Sequence, residues 1–310
     1  MLFALALIPV IALLVFIYVK DKNEREPMGF LILLFIGGMA TILPAIIAES
    51  IGELIINVFL PGDSLLKAVV VAALLVGPVE ELGKYLILRL ITWNNKNYNY
   101  SYDAIVYAVF VSLGFAAVEN VGYVFGNGLG TAILRMFTAV PGHACFAVFM
   151  GYFYSKAKYA QITNNRSEYG KYTALSIIAP IVIHGIYDAI AMAAGATDSF
   201  VFIGLSVILW FGFVMLMFAA SFFIVNQASK KDFCFVPAQD NNGWVYYRPD
   251  MVGSWNCSCG RVNQLNFCPT CGSARPVVNY WTCPRCGTLC AYNFCGSCGF
   301  SAQQQNMQGQ

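Results

Sequence analysis

Long apolar segments separated by short polar loops occupy the first 226 residues of the chain. Apolar segments of about 18 or more residues are long enough to cross a bilayer as helices. The pattern predicts about seven of them, at residues 2–19, 28–48, 65–91, 101–121, 133–154, 174–194 and 200–225. The expected fold class is an all-α polytopic membrane protein. A further short or re-entrant helix within residues 122–142 also fits the pattern.

Basic residues concentrate in alternate loops, which predicts the orientation of the helices. They lie in the first, third and fifth loops and after the last apolar segment: Lys20, Lys22, Arg25, Arg89, Lys96, Lys156, Lys158, Arg166, Lys171, Lys230 and Lys231. We therefore expect the N-terminus outside and the C-terminal tail in the cytosol. The first segment has no basic region before it and no small-residue cleavage site, so it is expected to be an uncleaved helix rather than a signal peptide.

Composition supports an integral membrane protein and divides the chain into an apolar region and a polar, cysteine-rich tail. Only 11% of the 310 residues are charged, 58% are hydrophobic, and the mean hydropathy is +0.64, which excludes an ordinary soluble globule. The net charge of +2 gives no electrostatic basis for nucleic-acid binding, and none is expected. We expect a membrane domain at residues 1–228, a linker at 229–250, cysteine-rich modules at 251–274 and 279–300, and a disordered tail at 301–310.

Ionisable residues interrupt four of the apolar segments, where a charged group is costly and usually functional. They are Glu80, Glu81, Lys84, Glu119, His143, His184 and Asp188, and the chain contains only two histidines. Helical spacing places Glu80 with Lys84, and His184 with Asp188, on common helix faces, whereas Glu81 points about 100° away from Glu80. Bundled helices of this kind are expected to enclose one polar chamber.

Such a chamber suits hydrolysis, although other interpretations remain open. A glutamate can act as a general base, while histidine and aspartate can orient water, stabilise an oxyanion or bind a metal. Two glutamates and two histidines are also plausible zinc ligands. Neither HExxH nor GxSxG occurs, and Cys145 has no base on its own face. The alternatives are an ion- or proton-coupled transporter or channel and a non-catalytic scaffold that displays the tail.

Each polar residue also has a structural interpretation. In this interpretation, Glu80 and Lys84 form an ion pair that only neutralises itself, Glu119 anchors two helices, and His143 and the His184–Asp188 pair are structural. Arg135 is expected to pair with a carboxylate or reach the membrane surface. Glu49 and Glu53 follow the predicted second span and are expected to be solvated.

The order of these motifs resembles the PrsW family of intramembrane proteases, which are related to the CAAX prenyl endopeptidases and the bacteriocin-processing proteins. The resemblance lies in Glu80-Glu81-x-x-Lys84, Phe115-x-x-x-Glu119, His143 and His184-x-x-x-Asp188, within residues 65–194. It implies an endopeptidase that cuts a membrane-associated protein, an anti-sigma factor in the founding cases.

The resemblance also implies roles for individual residues. Glu80 and Glu81 correspond to the paired catalytic glutamates and Lys84 to the basic residue of that motif. Glu119 occupies the place of a histidine in the CAAX enzymes, and Asp188 the place of an asparagine. One carboxylate of the pair is expected to activate water with His143, while Lys84 keeps the other ionised. Whether a catalytic zinc takes part is left open at this stage.

Eight of the 11 cysteines form two clusters in the tail. Each cluster offers four thiolates for one tetrahedral structural zinc: Cys257, Cys259, Cys268 and Cys271 in the first, and Cys283, Cys286, Cys295 and Cys298 in the second. Disulfides are the competing interpretation, but a cytosolic location favours metal. The first module resembles RanBP2-type zinc ribbons, which implies binding of protein or single-stranded RNA. Only Arg261, Arg275 and Arg285 are basic nearby, so we expect docking of a cytosolic protein. Cys145 and Cys234 are expected to be packing residues.

Overall fold

The computed structural model describes residues 2–163, 165–233, 235–240 and 243–247, and the short pieces 255–256, 259, 262–263, 281–282 and 289–290. The chain divides into two compact units, Met1–Asp232 and Phe233–Gln310, which are described separately.

The first unit is helical throughout its regular elements. Its elements are α1 (Leu2–Lys20), α2 (Met28–Ala40), α3 (Ile42–Phe59), α4 (Leu65–Val71), a π-helical turn (Ala72–Val76), α5 (Gly77–Thr92), α6 (Asp103–Phe137), α7 (Ala139–Ile162), α8 (Arg166–Gly195) and α9 (Phe200–Lys230). The predicted all-α class of the membrane domain is confirmed.

Five helical stretches in the described part of the chain are long and apolar enough to cross a membrane: Leu2–Lys20, Met28–Phe59, Asp103–Ile162, Arg166–Gly195 and Phe200–Lys230. The second and third of these stretches each contain two helices. The chain is therefore an integral membrane protein. The predicted span at residues 65–91 is not among the five.

The predicted second span differs from the structure in its continuity and length. Two helices, α2 and α3, replace one, and the second continues to Phe59. Pro44 has no N–H to donate to the carbonyl of Ala40, so the helix is interrupted near this point. Thr41, at the junction, donates its hydroxyl to the carbonyl of Gly38 over 2.7 Å.

The core of the first unit surrounds α6, whose residues from Asp103 to Ala117 are all buried. It packs against α1, α2 and α7. Small residues let the α2 and α6 backbones approach closely, because a Cβ at Gly114 would collide with the carbonyl of Phe35. This central helix carries Glu119 towards the interior of the bundle.

The helix α6 changes direction at Gly128, where φ is +80°. This backbone conformation is accessible to glycine because it has no Cβ. Residues 129–137 then form a separate helical part that carries Arg135 and leads into α7. This part lies in the region for which a short additional helix was considered from the sequence.

A π-helical turn lies immediately before the paired glutamates. Its register change is visible in the bond from the N–H of Gly77 to the carbonyl of Ala72, five residues earlier. Pro78 cannot donate a hydrogen bond to Leu74, which favours a wider turn here. Single π-turns are frequent at functional sites, and this one ends four residues before Glu80.

Asp232 joins three distant segments at one end of the first unit. Its Oδ1 accepts hydrogen bonds from the Ser101 hydroxyl over 2.9 Å and from the Tyr102 N–H over 2.8 Å, and its Oδ2 accepts one from Asn23 over 2.9 Å. The Nζ of Lys20 also donates to Asn226 over 2.6 Å. The end of α9 is thereby fixed to the first loop and to the start of α6.

The second unit contains three two-stranded antiparallel ladders in its described residues. They are β1 (Val236–Asp240) with β2 (Gly243–Tyr247), β3 (Trp255–Asn256) with β4 (Val262–Asn263), and β5 (Trp281–Thr282) with β6 (Leu289–Cys290). The β1–β2 ladder falls within the expected linker. Of the eight expected zinc ligands, seven lie outside the described residues, and Cys259 is described alone.

Two carboxylates in the loop between α1 and α2 are predicted to make stability depend on pH. Burial, reinforced by the charges of Asp232 and Glu24, raises the pKa of Asp21 from 3.8 to about 7. Burial likewise raises the pKa of Glu26 from 4.5 to about 7, reinforced by the charges of Asp21 and Glu24. The folded state therefore holds these protons more tightly than the unfolded state, and stability falls as pH rises from about 4 to about 7.

Asp21→Asn should therefore raise the unfolding temperature at pH 8 and have a smaller effect at pH 5. Thermal unfolding in detergent at both pH values measures the difference, with the exposed Asp198→Asn as control. An equal shift at both pH values would contradict the titration of Asp21.

Candidate active site

Lys84 binds both glutamates of the EExxK sequence from the same helix. Its Nζ lies 3.0 Å from Oε2 of Glu80 and 2.7 Å from Oε1 of Glu81. Residues three and four positions earlier on α5 are both within reach of one long side chain. The relative exposure of Lys84 is 1%, so its charge is compensated by protein groups rather than by water.

His143, in the first turns of α7, connects α5 with α6. Its Nδ1 lies 3.2 Å from Nζ of Lys84, and its Nε2 lies 2.9 Å from Oε2 of Glu119. An ammonium can only donate, so Nδ1 accepts and Nε2 carries the proton that is donated to Glu119. The hydroxyl of Ser112 donates to the main-chain carbonyl of His143 over 2.9 Å, which further fixes this residue.

His184, on α8, lies between two carboxylates. Its Nδ1 is 2.9 Å from Oε1 of Glu81, and its Nε2 is 3.1 Å from Oδ2 of Asp188. The ring also stacks on Phe146, with a centroid distance of 4.4 Å and an interplanar angle of 20°. The orientation of the imidazole is therefore fixed by polar and aromatic contacts together.

Glu119 is held by the cation of Arg135 as well as by His143. Its Oε2 accepts from Nη2 of Arg135 over 2.7 Å, while Nε of Arg135 donates to Oδ1 of Asn120 over 2.9 Å. The side-chain amide of Asn120 then donates to the carbonyl of Ala6 over 2.9 Å. This chain of contacts connects the site to α1.

Close approach of two helices brings His184 to the glutamate pair. A Cβ at Gly77 would lie 3.1 Å from the backbone nitrogen of Gly185, and a Cβ at Gly185 would lie 3.1 Å from Cα of Ala73. The absence of side chains at both glycines allows α8 to pack directly on the π turn and the start of α5. Larger residues there would separate the two halves of the site.

Four side chains offer atoms that fit a metal ion. One ligand atom from each of Glu80, Glu81, His143 and His184 lies within 4.8 Å of the others. Both histidines face this group with Nδ1 and contact a further carboxylate with Nε2, the arrangement that orients histidine ligands in metalloproteins. In addition, Oε2 of Glu81 is buried with no hydrogen-bond partner in the described structure. These observations support the fit of a divalent cation.

The structure brings together all seven residues that the sequence singled out in the membrane domain. Lys84 contacts Glu80, as the spacing predicted, and it also contacts Glu81, because its long side chain reaches both residues. Arg135 pairs with Glu119 as expected. Glu49 was expected to be solvated, but it lies within α3 and is half-buried. In the sequence, only the apolar residues before Glu49 indicated that this position belongs to a helix.

The sequence matches the model of the PrsW family intramembrane metalloproteases over residues 26–220. The chain belongs to the PrsW family. It is 35% identical to Protease PrsW of Geobacillus kaustophilus over 185 residues, which cover 60% of this chain and 77% of that protein. It is 34% identical to Protease PrsW of Clostridioides difficile over 213 residues, which cover 67% of this chain and 87% of the relative.

A third relative, Protease PrsW of Bacillus subtilis, is 31% identical over 204 residues, which cover 66% of this chain and 88% of that protein. No solved structure matches the chain. Membership of the PrsW family, together with the buried Glu/His group, identifies the chain as an intramembrane peptidase. It disfavours the transporter and scaffold alternatives.

Removal of the Lys84 charge is expected to destabilise the folded state. Lys84→Met leaves two buried carboxylates without their common cation, which should cost about 3–5 kcal/mol. Thermal unfolding in detergent measures the loss, and Lys171→Met, at an exposed position, is the control. Adding Glu80→Gln to Lys84→Met should restore part of the lost stability. Unchanged unfolding of the single variant would contradict this account of the charge network.

Proposed function

We propose that the peptidase hydrolyses a peptide bond of a membrane-protein substrate in the chamber formed by Glu80, Glu81, His143 and His184. The observation that carries this proposal is the convergence of their four ligand atoms within 4.8 Å, with each histidine backed by a second carboxylate. Polar residues with a purely structural role would not need to bring their ligand atoms to one point. A site of this composition fits both hydrolysis with a metal and hydrolysis by glutamate-activated water.

Glu81, His143 and His184 would hold the metal that the family description implies, because a catalytic zinc takes three nitrogen or oxygen donors from the protein, and Glu80 would stay free for proton transfer. When bound, the metal supplies Lewis-acid polarisation of the scissile carbonyl and of the attacking water. Glu119 and Asp188 keep the two histidine rings oriented through their Nε2 atoms. With this orientation, the Nδ1 atoms of both rings face the centre of the chamber.

Glu80 is the better candidate for the proton-transferring carboxylate. Oε1 of Glu81 is shared by Lys84 and His184, whereas Glu80 forms its hydrogen bond with Lys84 and lies 4.0 Å from His184. In the proposed reaction Glu80 takes a proton from the attacking water as the new C–O bond forms. It then delivers that proton to the amine nitrogen as the C–N bond breaks.

The distribution of basic residues among the loops indicates the depth in the membrane at which the reaction takes place. With the N-terminus outside and the tail in the cytosol, α7 begins on the outer side, as does the turn that follows α8. His143 is four residues inside the start of α7, which corresponds to about 6 Å of helix. We therefore infer that the scissile bond lies in the outer half of the membrane. The proposed topology retains about seven spans, with residues 65–91 as one that bears the catalytic charges.

The tail is proposed to contain two structural zinc ribbons that dock a cytosolic protein. In each module the first strand begins two residues before a cysteine, at Trp255 before Cys257 and at Trp281 before Cys283. The partner strand follows the second cysteine of the pair in both cases. Two short paired strands that flank a pair of cysteines in the sequence suit a zinc knuckle. Zinc would supply most of the stability of modules this small.

Substitutions in the chamber should abolish proteolysis without loss of the protein. Glu80→Ala, Glu81→Ala and His184→Ala are expected to lower cleavage of a co-expressed membrane substrate by at least about 100-fold. Glu53→Ala, at an exposed position on α3, is the matched control. Immunoblotting confirms that each variant reaches the membrane. Wild-type cleavage by all three chamber variants would refute the assignment.

Metal analysis separates the two proposed kinds of site. The purified full-length protein should contain about three zinc equivalents, of which about two depend on the cysteine clusters. A form ending at Asp232, the boundary of the first compact unit, should retain one equivalent. His184→Ala in this form should lose it. Complete loss of metal with the tail would instead favour water activated by glutamate alone.

A further inference from the structure

Glu49 is a carboxylate near the chamber that the proposed reaction does not use. It lies in the middle of α3, a helix whose only fully buried residue is Ala45. Its Oε1 is nevertheless buried and has no hydrogen-bond partner in the described part of the chain. A buried carboxylate oxygen without a partner is costly, so its retention calls for a physical reason.

Helical spacing shows the direction in which Glu49 faces. Thr41, Ala45, Glu49 and Gly52 follow one another at intervals of four, four and three residues and therefore share one face of α3. At one end of this face, Thr41 lies opposite Gly83 of α5, and a Cβ at that glycine would be 3.6 Å from Cβ of Thr41.

At the other end, a Cβ at Gly52 would collide with the side chain of Leu75 in the π turn. Glu49 lies between these two contacts and so faces the segment that carries the paired glutamates. The charges that act on Glu49 are those of Lys84, His184, Glu119 and Asp188, all members of the chamber.

Glu49 differs from the other carboxylates of the chamber in its pairing. Each of the others contacts a cation or an imidazole within 3.1 Å: Glu80 and Glu81 contact Lys84, Glu119 contacts Arg135 and His143, and Asp188 contacts His184. Glu49 has no ion pair among the described residues and is not part of the four-residue metal group. Among the described residues, one carboxylate beside the chamber is therefore available to a group from outside the chain.

We propose that Glu49 is a specificity-determining residue, which binds a lysine or arginine side chain of the substrate next to the scissile bond. The inference rests on the proposed peptidase site. A cationic side chain is favoured over a neutral donor because a full charge in an apolar surrounding is compensated best by an opposite full charge. A substrate cation bound at Glu49 also brings the adjacent peptide bond to the face of α5 that carries Glu80.

The test uses the full-length protein in proteoliposomes and single-span peptides that differ only beside the cleaved bond. Lysine, glutamine or glutamate is placed at each flanking position, and kcat and KM are measured. The wild-type enzyme should prefer lysine at one position by on the order of tenfold or more in kcat/KM. Glu49→Gln should remove this preference mainly through KM, and Glu49→Lys should favour glutamate instead.

Glu53→Gln provides the matched control, because it removes a carboxylate one helical turn away at an exposed position. It should keep the preference of the wild-type enzyme. The zinc content of Glu49→Gln should equal that of the wild-type protein, which separates substrate binding from damage to the metal group. An unchanged preference in Glu49→Gln, or no preference in the wild-type enzyme, would overturn the assignment of Glu49. Cleavage of none of the peptides would instead reject the proposed function, and the inference with it.

Discussion

Compensation of buried charge is the constraint on which the membrane domain depends. The ammonium of Lys84 is enclosed by Glu80, Glu81 and His143, and none of these groups can exchange its partner for water. In a surrounding of low dielectric, each charge stabilises the opposite charges next to it, and this stabilisation is lost when the distances between them increase. The packing of α5 against α7 is therefore tied to the chemistry of the site. The same compensation holds the ligand atoms together.

A second ring of contacts converts this cluster into an oriented site. Glu119 and Asp188 each engage the outer nitrogen of one histidine, so both inner nitrogens face the glutamates. Arg135 and Asn120 extend the network to the carbonyl of Ala6 at the edge of the bundle. Groups held this way need little rearrangement when charge develops during hydrolysis, which is the basis of electrostatic preorganisation. The π turn lies directly before the helix that carries both glutamates, as is frequent at functional sites.

The two ends of the membrane domain are built differently. Around the chamber, carboxylates are matched with cations. At the end that carries Asp21 and Glu26, acidic side chains lie near one another, and protonation reduces their repulsion. Asp232 fixes this end through donors from the first loop and from the start of α6. The junction with the second unit thus begins at a position anchored to the core of the first.

The sequence by itself determined the membrane class, most of the helices and the identity of the seven polar residues. Apolar segments of sufficient length, and charges that are too costly to occur there by chance, are local properties that a sequence displays directly. Helical spacing also gave the pairs Glu80–Lys84 and His184–Asp188. It did not predict that Lys84 contacts both glutamates, because the angular positions of residues around a helix take no account of the reach of a long side chain.

Only the tertiary structure decided which helices meet. The approach of α8 to α5 at Gly77 and Gly185, the turn at Gly128 that returns Arg135 to Glu119, and the inward face of α3 depend on contacts between distant segments. Glu49 illustrates the difference. Its neighbours in the chain suggested a solvated span end, but a helix interrupted at Thr41 continues past it and turns it towards the chamber. Hydrophobic pattern records burial along one segment, whereas the partner of a buried charge is set by the packing of several segments.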